Sequence, residues 1–273
     1  MPDIPQQNTG VLLGSATKSL WVGGTIPYEV KLESGDWRPY LPVAEKQKNP
    51  VETMACVTFS DLNVLEIQAK QQGGSEPNWS DRFIAKLSDT TPQGNYLDKV
   101  ADTVRKFGLV QESDWPTPPN ATWATYYADI PQEVINRATK VDIAYEGIVA
   151  SESELRHHLK QCPLQIIILK DDPTHAVTLV ALEGKTAYYF DSYSPFLKEV
   201  HVSLIHPYAL KIVLKGNMTN AYVVKNGSEY AVAQPATSED GLVTLLRSHG
   251  LPTPLKPDGK LDFAEVDKFT KVI

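Results

Sequence analysis

The chain has 273 residues, enough for one large domain or for a domain with a small appendage, and its core is large enough to need no disulfide or metal staple. A formal net charge of −7 with 42% hydrophobic and 22% charged residues is the balance of an ordinary globular enzyme, and it excludes the clustered Lys and Arg of a general nucleic-acid binder. Apolar runs such as Leu164 to Leu169 fall well short of the roughly 20 residues that cross a membrane, so a soluble protein with no membrane partner is expected.

The polar start MPDIPQQNTG has neither the charged nor the apolar region of a secretory signal. Two cysteines, Cys56 and Cys162, allow at most one bridge, so a reducing compartment is the simpler reading: cytoplasmic or virion-associated rather than secreted.

Residues 1–35, with Gly, Pro and short apolar islands, read as an extended lead-in. From Cys56 to about Gln72 the chain lacks Gly and Pro and places Phe59, Leu62, Leu65 and Ile67 at near-helical spacing, which predicts a buried helix with Cys56 at its N-terminal edge and Gly73-Gly74 as its stop. A second helix is predicted from Tyr96 to Phe107, with Tyr96, Val100, Val104 and Phe107 on one stripe and Gly108 closing it. Ser151 with Glu154 forms a capping-box signature for a short helix through Leu155 and Leu159.

Strands follow at Leu164 to Lys170, Ala176 to Leu182, Ala187 to Tyr193 and Ala209 to Leu214, rich in Val, Ile, Leu and Tyr. Helices first and strands afterwards imply an α+β fold. Gly184-Lys185 makes a hairpin of the middle two strands, which brings His175 and Asp191 side by side at its open end. Residues 219–273 read as a separate small unit, with a hairpin from Ala221 to Val232 around Asn226-Gly227, a helix from Thr237 to Gly250 and a short helix from Asp262.

Three residues suit thiol chemistry on an acyl group, which needs a thiolate, a base and a group that orients the base. Cys56 at a helix N-terminus would feel the positive end of the helix dipole and the unsatisfied N–H groups of the first turn, which favour thiolate and can hold an oxyanion. Alone, each residue also has a structural reading: Cys56 as a small buried hydrophobe, His175 as an ordinary histidine at a strand start, and Asp191 as a turn former.

Together they form a pattern. Cys56-Val57-Thr58-Phe59-Ser60 resembles the Cys-Trp-Ala-Phe-Ser run that opens the central helix of papain-like cysteine peptidases, and His175-Ala176-Val177 resembles their His-Ala-Val. Asp191-Ser192-Tyr193, sixteen residues beyond His175, resembles their Asn-Ser-Trp. Asp36-Trp37-Arg38 resembles the family's mature start, Gly94 lies where a glycine pair precedes the second helix, and Glu112 to Pro116 resembles the turn that follows it, so the likeness spans about residues 36 to 215.

The resemblance implies a two-lobed papain-like domain over residues 36–218, a peptide or protein substrate in the cleft, and Cys56 as nucleophile, His175 as base and Asp191 as its orienting partner, accepting from Nδ1–H. Val57 replaces the family's Trp, and Thr53 replaces a Cys that would form a disulfide. Asp191 stands for Asn, an exchange that strengthens the hold on an imidazolium. The oxyanion-hole glutamine is missing from its usual place, where Pro50 stands, and Gln47 is the candidate if the loop carries an insertion of about three residues.

Cys162 beside Pro163 reads as packing. No cofactor or metal is expected: there is no Cys-x-x-Cys pair, the adjacent His157 and His158 diverge on a helix, and Asp258 to Glu265 resembles only the second half of a calcium loop. Thiol-dependent peptide hydrolysis is the leading expectation. A papain-fold transglutaminase or cell-wall amidase is the alternative, as is a non-catalytic structural or binding component, for example of a virus particle, with the C-terminal unit docking a partner.

Overall fold

The structure, a computed structural model, describes residues 11–12, 22, 28–73, 76–169 and 174–215, with the strand backbones of 222–226, 229–232 and 270–272. The chain divides into two compact units, Met1–Lys215 and Gly216–Ile273.

Helix α1 (Cys56–Gly73) is the axis of the first unit, and its Val57, Val64, Leu65 and Ile67 are fully buried. A helix enclosed on nearly all sides shows no polar stripe, so its lack of Gly and Pro marks it better than periodicity does. Helices α2 (Asp81–Leu87) and α3 (Leu97–Phe107) pack on it. The buried stripe of α3 is Leu97, Val100, Ala101 and Val104. Tyr96 and Phe107, expected on that stripe, are exposed because Tyr96 is an extended cap and Phe107 ends the helix. Gly108 has φ +82°, where a side chain is strained, and an added Cβ would overlap the Thr139 carbonyl. Two single-turn helices follow, α4 (Trp123–Tyr126) and α5 (Gln132–Ile135).

Strands β1 (Ile143–Val149), β2 (Leu164–Ile168), β3 (His175–Glu183), β4 (Thr186–Phe190), β5 (Leu197–His201) and β6 (Tyr208–Leu214) form a six-stranded sheet in the order β1-β6-β2-β3-β4-β5, antiparallel throughout. The fold is α+β, as the residue pattern implied. Strand β1 was not legible because its apolar run is broken by Glu146, which lies opposite Lys211 of β6 and pairs with it at 3.0 Å, both side chains nearly fully buried. Strand β5 was missed because it is an edge strand with only Val200 buried.

Helix α1 lies against β2, β3 and β6 on one face of the sheet. A second apolar cluster joins β2, β3 and β4 to Trp37 and to α6 (Glu152–Leu159), where the Trp37 indole donates to the Leu159 carbonyl at 2.7 Å. Ser151 caps α6 by accepting from Glu154 N at 3.3 Å, while the Glu154 carboxylate faces His158 at 3.4 Å instead of returning to the cap. The His157 and His158 rings do not diverge: their centroids lie 5.0 Å apart, edge to face, with His157 stacked on Tyr28. Cys162 is buried as expected, and burial pushes its thiol up to about 12.

A cluster of carboxyls lies where α1 meets α2. Glu66 accepts from Trp79 N at 2.9 Å, Glu112 accepts from Thr117 N at 3.1 Å, and Asp81 opens α2. Burial raises all three: Glu66 and Asp81 well above the ordinary carboxyl range, and Glu112 to about 7, with Glu45 adding to each. Among the described residues no helix is long and apolar enough to cross a membrane.

In the second unit, β7 (Tyr222–Asn226), β8 (Glu229–Val232) and β9 (Thr270–Val272) form an antiparallel sheet in the order β8-β7-β9, with Asn226 opposite Glu229. The expected helices after Thr237 and Asp262, and the segment 258–265, lie outside the described residues.

Candidate active site

Cys56 is the first residue of α1 and is fully buried. Met54, two residues earlier, has φ 56°, a left-handed backbone that costs a non-glycine residue about 1–3 kcal/mol and is held here by Met54 N donating to Glu52. The first turn of the helix is fastened to the sheet. Ser60 Oγ donates to the Cys56 carbonyl at 2.8 Å, and Gln165 of β2 donates to Val57 O at 2.7 Å and to Ser60 Oγ at 2.8 Å. Thr178 of β3 donates to Ser60 O at 2.9 Å. Gln165 and Thr178 face each other across β2 and β3, so one cross-strand pair fixes the start of α1 against the strand that begins with His175.

His175 Nε2 lies 2.7 Å from Asp191 Oδ1. The contact uses Nε2 rather than the Nδ1 expected from the sequence, because His175 enters β3 with its far ring nitrogen toward the end of β4. Nδ1 is buried without an oxygen or nitrogen partner, and besides Asp191 the ring interacts with the Cys56 thiol. Burial disfavours the imidazolium, but Asp191 and Cys56 outweigh it and raise His175 to about 10. The Tyr193 ring lies against His175, with centroids 5.3 Å apart.

Asp191 is almost fully buried. Burial would raise its carboxyl, but hydrogen bonds and charge from His175 and Lys198 hold it below the usual range. Oδ1 also accepts from Tyr193 N at 3.1 Å, and Oδ2 accepts from Lys198 Nζ at 2.7 Å.

Gln47 is buried beside the Asp191 segment. Its backbone N–H donates to Ser192 O at 3.2 Å, and its side-chain oxygen accepts from Ser192 Oγ at 3.0 Å. Its amide nitrogen donates to Glu52 Oε1 at 2.6 Å, which uses one of two protons. Thr53 Oγ1 donates to Gln47 O at 3.0 Å and closes the neck of the short loop between them, which contains the cis Asn49–Pro50 bond. Glu52 Oε2 accepts from Tyr193 OH at 2.6 Å, so one carboxylate joins Gln47 to the residue that covers His175.

Thr174, the residue before His175, donates through Oγ1 to the carbonyl of Val11 at 3.4 Å. Val11 is buried, and the next residue, Leu12, donates its N–H to Asn95 O at 2.8 Å.

The structure thus couples His175 to both Cys56 and Asp191, and places Gln47 on Ser192. Reading the sequence missed Lys198, Glu52 and the Gln165–Thr178 pair. Lys198 sits on the strand without periodicity, and nothing local in the sequence marks the other three.

The fold has solved counterparts. The chain superposes on digestive procathepsin L 3 of Tenebrio molitor larval midgut with TM-score 0.53 and 16% identity, covering 76% of each chain. The fold is papain-like. A recombinant stem bromelain precursor matches with TM-score 0.51 at 13% identity, over 66% of this chain and 70% of that one. A Carica candamarcensis cysteine protease in complex with E-64 matches with TM-score 0.50 at 14% identity, over 66% of this chain and 97% of that one. No protein-family model and no curated protein sequence matches the chain. Identities this low carry the papain-like architecture and not the residues of a site.

Proposed function

We propose that the protein is a thiol peptidase that hydrolyses peptide bonds through Cys56, His175 and Asp191. The observation that carries this reading is the placement of His175, bonded through Nε2 to a buried carboxylate while its ring interacts with a cysteine at the mouth of a buried helix. Raised to about 10, His175 is an imidazolium at neutral pH and the natural counter-ion of a Cys56 thiolate.

The thiolate attacks the scissile carbonyl carbon. The oxyanion that forms is met by the Cys56 backbone N–H and by the second amide proton of Gln47. His175 gives its Nδ1 proton to the departing amine, leaving a thioester on Cys56. The ring then takes a proton from water as that water attacks the thioester, and collapse returns free acid and the ion pair. Asp191 keeps the ring oriented throughout.

The test is incubation of the full chain with an epoxysuccinyl thiol-protease inhibitor, read by intact mass, with Cys56→Ala as control. One adduct on the wild type and none on the variant is expected. An unmodified wild-type chain at neutral pH overturns the reading. Cleavage of a peptide library with and without an added amine then separates hydrolysis from acyl transfer.

A further inference from the structure

The Asp191 carboxylate is held between two cations, His175 on Oδ1 at 2.7 Å and Lys198 on Oδ2 at 2.7 Å, and is only 4% exposed. Lys198 reaches it because β5 pairs with β4. Tyr189 lies opposite Lys198, and Asp191 N donates to Phe196 O, so Asp191 and Lys198 fall on the same face one step apart along the ladder. With its side chain 25% exposed, Lys198 shields the open side of the carboxylate.

We propose that Lys198 is a positioning residue of this site, which offsets the charge of Asp191 so that the carboxylate orients His175 without locking the proton on its ring. The inference rests on the Cys56–His175–Asp191 reading. A thiolate and an imidazolium sum to zero. A neutral amide as orienting partner would leave that sum unchanged, whereas a carboxylate adds a negative charge and Lys198 returns it to zero. The balance matters because His175 must release its proton to the leaving amine, and an acid held too tightly gives it up slowly.

The other titratable groups around the pair are Cys56 from α1, Glu52 from the loop before it, Tyr189 from β4 and Tyr193 beyond β4. Of these groups and Lys198, Lys198 alone is a cation. Its ammonium sits 2.7 Å from one oxygen of the carboxylate whose other oxygen lies 2.7 Å from the imidazole, so its removal should raise the His175 midpoint by about one pH unit.

The experiment follows the imidazole NMR signals of His175 in the full chain through a pH titration, assigned by loss in His175→Gln, with alkylation of Cys56 by iodoacetamide measured alongside by intact mass. Lys198→Met and Lys198→Gln should each move the midpoint up by about one unit, Lys198→Arg should restore it, and Asp191→Asn should move it down. Two neutral variants guard against one that fails to fold. If Cys56 is alkylated and His175 titrates well above 6.5 in the wild type, but neither neutral variant shifts the midpoint by more than about 0.2 unit, Lys198 is a surface ion pair and the inference fails. If the wild-type chain is not alkylated or its His175 titrates near 6.5, the underlying reading fails instead.

Discussion

Glu112→Gln is expected to stabilise the protein at pH 8 and to do so far less at pH 5. Burial raises Glu112 from an ordinary 4.5 to about 7 in the folded chain, while Thr117 N–H on Oε1 only partly offsets this. A carboxyl whose folded pKa lies above its unfolded one contributes stability that is complete below the unfolded value and is lost as pH rises through the folded value. The window is therefore pH 4.5 to about 7. A shift of this size corresponds to about 3 kcal/mol, and with part of the side chain reaching solvent we take about 2 kcal/mol. For a unit of this size that is a rise in melting temperature of about 4–8 °C. Glu66 and Asp81 act in the same direction, so the wild type should itself melt lower at pH 8 than at pH 5. Thermal melts of both proteins at the two pH values make the test. A Glu112→Gln chain that shows the same loss between pH 5 and pH 8 as the wild type would refute the account.

Gln47→Ala should lower kcat on a cleavable peptide by about 10²–10³-fold with KM little changed, as for loss of one oxyanion donor, and an equal loss in KM alone would move Gln47 out of that role. Breaking the buried Lys211–Glu146 pair from one side with Lys211→Met should cost about 3–5 kcal/mol in denaturant titration, and a second change, Glu146→Leu, should recover much of it. Gly108→Ala should destabilise by at least about 1–2 kcal/mol, read from urea midpoints, because φ +82° and the Thr139 carbonyl both oppose a Cβ.

The elements legible in the sequence are those whose signal is local. Gly73 and Gly108 close helices, Ser151 opens one, and Gly184-Lys185 turns the hairpin that carries His175 and Asp191. What escaped depends on partners distant in the chain. Glu146 breaks the apolar run of β1 and becomes tolerable only once Lys211 lies opposite it, a pairing no window of sequence contains. At the site, residue types and spacing brought Cys56, His175 and Asp191 to notice, yet the ring nitrogen that meets Asp191 is decided by how β3 enters the sheet. Lys198 and Glu52 act across strands and loops, which is why neither stood out.

Val11 and Leu12 already engage the Asn95 backbone and Thr174, the residue that precedes His175. An extended chain brought to those same groups meets a rival tethered to the same molecule, present at an effective concentration on the order of mM. By reciprocity, whatever displaces that rival raises affinity at the site by the factor with which occupancy of the site loosens the rival. The Val11–Leu12 segment is therefore coupled to whatever else engages the Asn95 carbonyl and the Thr174 hydroxyl.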